Sequence, residues 1–359
     1  MKRLLIIIIF FLFSLVSINA LEVSGEALIL MDEDSGRILY SVSPYKEKLI
    51  ASITKIMTAV IAIESNQLDD LITVDSIIKE AYGSNIYLEV GEKMKLRDLV
   101  YGLMLRSGND AALVIAKYLA KDEKGFVKKM NNKAKKLGMK RTFFLNPHGL
   151  DEDGGNKSTA YDMALLTKYA NQLKEYQNIV KTKVWQVKTN KKTYVWHNKN
   201  KILRLYKWST GGKTGFTEKA RRTLVTTASK NNLNLIVVTL NDGNDWMTHQ
   251  TLYEYAFNNY RRYLVLNKKK FILKSDYYQE RLYIKNDYYY PLKHEETKEV
   301  VLKAKLFKNK HYKNEDKVGE VEVYFQNKIV HTEDIFIEVL PKKFNKNISW
   351  WQRIFRWFS

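Results

Sequence analysis

Hydrophobic and polar positions change period along this chain. Ala27-Leu-Ile-Leu-Met31 and Arg37-Ile-Leu-Tyr40 are short apolar runs. Between them lies Asp32-Glu-Asp-Ser-Gly36, a cluster of turn formers, so the segment predicts a β-hairpin. From Ile53 to Ile63 the mix becomes helical, and no Gly or Pro interrupts before Gly83. Helical spacing returns at Leu96–Leu105, Ala111–Leu119, Gly125–Leu137 and Ala160–Leu173. The last two patterns are separated by Asn146-Pro-His-Gly-Leu-Asp-Glu-Asp-Gly-Gly155, which reads as a loop. After about residue 205 the pattern reverts to strands: Thr223–Ser229 and Leu233–Leu240 are β-branched runs joined by Lys230-Asn-Asn232. Strands at both ends with helices between predict an α+β domain whose sheet unites distant chain segments.

A second, all-β region is predicted for residues 266–341. Val318-Gly-Glu-Val-Glu-Val-Tyr-Phe325 and Asp334-Ile-Phe-Ile-Glu-Val-Leu340 alternate with period two, and no long helical stretch competes with them. At the N-terminus, Met1-Lys2-Arg3 precedes the apolar run Leu4–Val16, and Ser17-Ile-Asn-Ala20 supplies small residues for cleavage. That pattern predicts a secretory signal over 1–20, since the run falls short of the ~20 residues that span a bilayer. At the other end, 342–359 predicts an amphipathic helix. Ile348, Trp350, Trp351, Ile354, Phe355, Trp357 and Phe358 share one half of it, opposite Arg353 and Arg356. Aromatics on one face and arginines on the other are the composition of an interfacial membrane helix.

Composition narrows the chemistry. The 359 residues contain no cysteine, which removes disulfides, thiolate metal centres and thiol nucleophiles. Six scattered histidines offer no close pair, so no metal and no other cofactor is expected. A net charge of +21 favours a polyanionic neighbourhood. For an exported protein that means a membrane surface or an anionic envelope polymer at the outer face of the cytoplasmic membrane, and not nucleic acid.

Three serines are followed by lysine three residues on: Ser43/Lys46, Ser52/Lys55 and Ser76/Lys79. Only Ser52 sits where a strand-rich segment gives way to an apolar helix, one helical turn from Lys55 on the same face. Lysine serves as a base only when neutral, and desolvation with a second nearby cation lowers its pKa. Lys213-Thr-Gly215, after Gly211-Gly212, supplies such a cation, a hydroxyl and small residues on a strand edge, a set suited to a carboxylate. Ser107-Gly-Asn109 lies at a helix–helix junction, where Asn109 is equally readable as an N-cap. A further Ser-x-Asn, Ser229/Asn231, falls in a hairpin turn.

The order Ser-x-x-Lys, Ser-x-Asn, Lys-Thr-Gly resembles the motif set of penicillin-binding proteins and β-lactamases. Ala51-Ser-Ile-Thr-Lys-Ile-Met-Thr-Ala59, Leu105-Arg-Ser-Gly-Asn-Asp-Ala-Ala112 and Gly212-Lys-Thr-Gly-Phe-Thr217 resemble blocks of the low-molecular-weight penicillin-binding proteins, the serine-type D-alanyl-D-alanine carboxypeptidases. Asn146–Asp151 and Ser158–Met163 resemble further blocks, and the likeness covers roughly residues 22–262. It implies an antiparallel sheet with a helical subdomain over 21–265, followed by the β-rich region. It implies Ser52 as acylated nucleophile, Lys55 as base, Ser107 as proton relay and Asn109 as holder of the substrate amide. Lys213 and Thr214 would grip the terminal carboxylate, with Gly215 beside them and the N–H groups of Ser52 and Phe216 forming the oxyanion hole. The implied substrate is a peptidoglycan pentapeptide ending in D-Ala-D-Ala, and β-lactams become covalent inhibitors.

Two departures stand out. After Lys219-Ala220 the family has Gly and an aromatic, where this chain has Arg221-Arg222. Asp245-Trp-Met-Thr-His-Gln250 carries no arginine where many members place one for the carboxylate. Strand alternation lets at most one of Arg221 and Arg222 face the cleft. The competing readings are a class A-like β-lactamase, through Glu152 and Asn156, and a non-catalytic peptidoglycan-binding envelope protein.

Overall fold

The computed structural model describes residues 21–339, so the secretory signal expected over 1–20 and the amphipathic helix expected over 342–359 lie outside the described residues. The chain divides into two compact units. The first takes the chain up to Met31, Ile38–Ala228 and Leu235–Tyr255; the second takes Asp32–Arg37, Ser229–Asn234 and the chain from Ala256.

The first unit is built on a five-stranded sheet with strands in the order Ile38–Val42, Ala27–Asp32, Leu233–Leu240, Arg221–Lys230, Ser209–Thr217. The N-terminal hairpin and the pair Ser209–Thr217/Arg221–Lys230 are antiparallel. The sheet thus joins the first described strand to the last ones of the unit, an α+β arrangement. Ala27–Asp32 is buried at every position. Leu233–Leu240 is nearly so, which its unbroken apolar run requires. Ser209–Thr217, carrying Lys213-Thr-Gly215, is the free edge.

Helix Lys55–Glu64 runs through the middle of the core. Ile56, Met57, Ala59, Val60, Ala62 and Ile63 are buried around its whole circumference, the mark of a helix enclosed on every side. Helices Leu96–Tyr101, Asn109–Ala120, Glu123–Lys136 and Ala160–Ala170 surround it and share its hydrophobic cluster with Ala27, Ile29, Met31, Val225, Ile236 and Val238 of the sheet. Leu96–Tyr101 continues into a single π-turn, Gly102–Arg106, which ends at Ser107. Helix Lys174–Lys181 and the ribbon Val184–Lys188/Thr193–His197 complete the unit, and neither has a counterpart in the sequence reading. The ribbon is fixed by Trp185, which stacks on Tyr101 at 3.7 Å and donates Nε1–H to Asp98 at 2.9 Å.

The second unit is β-rich. Strands Arg281–Ile284, Lys328–Glu338, Lys317–Phe325 and Val300–Leu306 form one sheet in that order, and Arg261–Leu266 pairs with Tyr288–Leu292. Lys317–Phe325 and Lys328–Glu338 are joined by Gln326-Asn327, both at positive φ (50° and 62°), the two-residue turn that suits a twisted hairpin. Their inward positions Val321, Val323, Ile335 and Ile337 make the core with Leu266, Tyr278 and Leu282. Arg37 is anchored in this unit by two bonds to Glu296, at 3.0 and 2.7 Å, beneath the Phe325 ring at 4.4 Å.

Candidate active site

Ser52 stands at a strained bend. Ala51, just before it, is buried with φ at +48°, a conformation an L-residue holds only where its surroundings impose it. The chain then makes one 3₁₀ turn, Ala51–Thr54, and enters helix Lys55–Glu64. Edge strand Ser209–Thr217 passes directly in front of this turn. A Cβ built on Gly215 would lie 3.0 Å from the Ser52 nitrogen and 2.4 Å from Thr223 Oγ1, so only glycine permits the approach.

Lys55 is wholly buried, and its Nζ has three neighbours: Ser52 Oγ at 3.0 Å, Asn109 Oδ1 at 2.7 Å and the His148 carbonyl oxygen at 2.5 Å. Asn109 Nδ2 donates to the Tyr82 carbonyl at 2.6 Å, which fixes the amide so that Oδ1 faces Lys55. Burial, then the charges of Lys213 and Lys199, hold the Lys55 pKa well below the usual lysine range. A neutral amine has two N–H donors and one lone pair. Asn109 and His148 offer acceptors for the two donors, and the remaining direction is that of the serine hydroxyl.

Lys213 is buried too, bonded to Ser107 Oγ at 3.1 Å and the Thr214 carbonyl at 2.7 Å. Burial and the charge of Lys199 bring its pKa down to about 7. Ser107 itself takes φ +67° at the end of the π-turn, a left-handed residue at a helix junction. Asn109 is not the N-cap: Gly108 holds that position without a side-chain cap, and the Asn109 side chain is turned to Lys55. Asp110 locks the junction, accepting from the backbone N–H of Ile86 and Leu88 at 3.0 and 3.1 Å.

The loop after Phe144 completes the Lys55 pocket from behind. Asn156, also buried, donates to Thr54 Oγ1 and to the Asn146 carbonyl, both at 2.9 Å, and Pro147 accepts from Thr58 Oγ1 at 2.6 Å. His148, whose pKa burial lowers to about 3, stays neutral beside Lys55. Gly149 has φ +91°, and a Cβ there would stand 2.0 Å from the Ala51 carbonyl oxygen. Gly149→Ala is therefore expected to displace the loop and the His148 carbonyl from Lys55, costing about 2–4 kcal/mol of stability. A thermal or urea melt of this variant checks the expectation.

In front of Ser52 opens a cleft of ≈ 330 Å³, lined by Ser52, Ser84, Ser107, Lys199, Lys201, Thr214, Gly215, Phe216, Arg222, Asp245 and Trp246. All eight residues singled out in the sequence thus meet at one place: Ser52, Ser107, Thr214, Gly215 and Phe216 on its wall, with Lys55, Asn109 and Lys213 behind. Lys199, Lys201, Ser84 and the Tyr82 and His148 carbonyls were not anticipated. Of the arginine pair, Arg222 lines the cleft and Arg221 is exposed. Ser43 and Ser76 lie elsewhere: Lys46 pairs with Glu26, and Ser76 opens a short 3₁₀ turn. Of the further Ser-x-Asn, Asn231 lies in the hairpin turn at φ +53°, whereas Ser229 is still in strand Arg221–Lys230, its hydroxyl donating to Asn234 Oδ1 at 2.7 Å. No cluster of metal-ligating side chains occurs among the described residues.

A family profile described as D-alanyl-D-alanine carboxypeptidase, peptidase family S11, matches residues 15–244. D-alanyl-D-alanine carboxypeptidase DacF of Bacillus subtilis is 33% identical over 265 residues, 70% of this chain and 66% of that protein. DacC of Escherichia coli is 34% identical over 241 residues, 62% of this chain and 58% of that protein. The chain therefore spans no more than about two thirds of these relatives' length. Among solved structures, penicillin binding protein 5 from Haemophilus influenzae superposes with a TM-score of 0.75 at 25% identity, over 88% of this chain and 97% of that one. Penicillin binding protein 6B from Escherichia coli gives 0.69 at 27% identity, over 87% and 95%. The profile covers well over half the chain, and with it the protein belongs to the D-alanyl-D-alanine carboxypeptidase family of serine peptidases.

Proposed function

We propose that this protein is a serine-type D-Ala-D-Ala carboxypeptidase, which removes the terminal D-alanine of peptidoglycan pentapeptides through an acyl-enzyme on Ser52 and is acylated by β-lactams. The observation that carries the reading is the wholly buried Lys55, 3.0 Å from Ser52 Oγ with its other two directions filled by acceptors. In the first step neutral Lys55 takes the hydroxyl proton as Oγ attacks the penultimate D-Ala carbonyl. Backbone N–H groups of Ser52 and Phe216 meet the tetrahedral anion, and Asn109 holds the substrate amide. Collapse breaks the amide bond, and the proton that Lys55 took from Ser52 passes through the Ser107 hydroxyl to the leaving nitrogen of D-alanine, while Lys213, 3.1 Å from that hydroxyl, stays charged. Water then attacks the Ser52 ester, giving its proton to the again neutral Lys55, which returns it to Ser52 Oγ as the ester bond breaks and the shortened peptide leaves. Lys213, Thr214 and Gly215 receive the terminal carboxylate.

The test is incubation with a synthetic acyl-D-Ala-D-Ala peptide and assay of free D-alanine. Release of D-alanine with slow loss of bound penicillin is expected. Absence of both release and penicillin labelling would sink the reading, and rapid penicillin turnover would favour the lactamase instead. Asn156 speaks against that alternative, since its amide is spent on Thr54 and Asn146 inside the loop.

The site of action proposed is the outer face of the cytoplasmic membrane, with 1–20 as leader and 342–359 as an interfacial anchor. Support comes from the sequence pattern of both ends and the net charge of +21. Among the described residues no helix is long and apolar enough to cross a membrane. Co-sedimentation with anionic vesicles is expected for the full mature chain and lost on removal of residues 345–359; equal binding by both forms rejects the anchor.

A further inference from the structure

We propose that Arg222 is a substrate-binding residue of this cleft, receiving the terminal carboxylate of the peptide beside Thr214; the inference rests on the carboxypeptidase reading above. Arg222 sits on the strand next to the free edge, directly opposite Phe216 and two residues before Leu224, the partner of Thr214. Its side chain therefore emerges on the same face as Thr214, and both line the cleft that Ser52 opens into.

The guanidinium is set in place and only partly used. Asp245, almost fully buried at the start of helix Asp245–Asn259, accepts from Nη2, and the guanidinium carbon stands 5.4 Å from the centre of the Trp246 ring. These contacts fix the plane of the fork. Nε is buried without a partner and Nη2 goes to Asp245, while the side chain as a whole keeps 37% of its surface exposed, so the rest of the guanidinium is what the cleft can use. A carboxylate is the group that such a charged donor pairs with most strongly.

Two other cleft cations are already engaged: Lys213 Nζ by Ser107 and the Thr214 carbonyl, and Lys199 Nζ by Ser84 Oγ at 3.1 Å. Lys201, also on the wall, is an exposed point charge without the planar fork of a guanidinium. Burial lowers the pKa of Lys199 and Lys213, whereas a guanidinium keeps its charge throughout the working range. Arg222 thus supplies a permanent positive charge where a substrate ending in a free carboxylate needs one. The two family departures become one device: an arginine missing from the start of helix Asp245–Asn259 is replaced by one from the strand that this helix's Asp245 holds in position.

Two probe peptides separate binding from structure: acetyl-Lys-D-Ala-D-Ala with a free C-terminal carboxylate, and the same peptide as its C-terminal amide. The wild type should prefer the carboxylate. Arg222→Gln should lower kcat/KM for the carboxylate peptide by about 10–100-fold, mainly through KM, and reduce the carboxylate-to-amide ratio by a similar factor. Because Arg222→Gln strands the buried Asp245 carboxylate, the pair Arg222→Gln/Asp245→Asn is measured beside it and should lose the same selectivity. Arg222→Lys, which keeps Asp245 paired, should show an intermediate ratio and serves if the neutral variants fail to fold. A ratio unchanged from wild type in these variants, or equal losses on both peptides, overturns the proposal and leaves Arg222 a structural ion pair. A wild type that releases no D-alanine from the carboxylate peptide and takes no penicillin would instead overturn the carboxypeptidase reading, and this inference with it.

Discussion

Ser52→Ala is expected to abolish covalent labelling by fluorescent penicillin and to lower D-alanine release by a factor on the order of 10⁶, as loss of a serine nucleophile does elsewhere. The fold should survive. Among the described residues the Ser52 side chain makes one hydrogen bond, to Lys55, and that lysine keeps Asn109 Oδ1 and the His148 carbonyl. What holds the bend is backbone and packing: buried Ala51, the Thr223 hydroxyl donating to the Ile50 carbonyl at 2.9 Å, and the Gly149 contact. A denaturation midpoint close to wild type together with absent labelling is the expected result. Labelling that persists in Ser52→Ala but disappears with Ser43→Ala or Ser76→Ala would move the nucleophile. That outcome conflicts with the geometry, since neither serine lines the Ser52 cleft.

How much of this arrangement is legible in the residues depends on whether an atom belongs to a side chain of distinctive type. The strands around Lys213 and Val225, the buried helix after Ser52 and the period-two hairpin near Val321 are written in side-chain patterns, and the structure has all of them. Helix Lys174–Lys181 is amphipathic but short, with only Tyr176, Ile179 and Val180 buried, too few positions for its spacing to stand out. The ribbon after Val184 has strand-like alternation, yet what orders it is tertiary: Trp185 on Tyr101 and Asp98. Backbone contributors are the hardest to read. The carbonyls of His148 and Tyr82 orient Lys55 and Asn109, and any residue has a carbonyl. Lys199 falls in the same class for another reason: one lysine among many in a basic chain, it matters only because its backbone N–H to the Leu105 carbonyl, at 3.0 Å, brings it to the cleft. The Asn109 N-cap reading failed because its amide is drawn to a buried amine, a stronger partner than a solvated helix end.

The pH dependence of acylation should carry the signatures of two lysines with opposite requirements. Lys55 acts only when neutral; its pKa is lowered by burial first and then by Lys213 and Lys199, so the active form grows as pH rises through that depressed value. Lys213 acts only when charged; its pKa is about 7 in the unliganded protein, so the carboxylate-gripping form is present below that pH and is lost above it. The expected profile of kcat/KM is therefore a bell, its acid limb set by Lys55 and its alkaline limb by Lys213. Because a bound carboxylate favours the charged lysine, saturating substrate should shift the alkaline limb upward, and kcat should fall at higher pH than kcat/KM. Lys55→Arg cannot lose its proton, and it should lose about 10²–10⁴-fold in acylation rate at every pH. Lys213→Arg keeps the charge permanently and should flatten the alkaline limb while retaining measurable acylation, since the base beside Ser52 is untouched. The measurement is second-order acylation by penicillin across pH 5 to 10 for the three proteins. A Lys55→Arg enzyme with near-normal acylation would remove that lysine from the base role, and an alkaline limb unchanged in Lys213→Arg would detach the limb from Lys213.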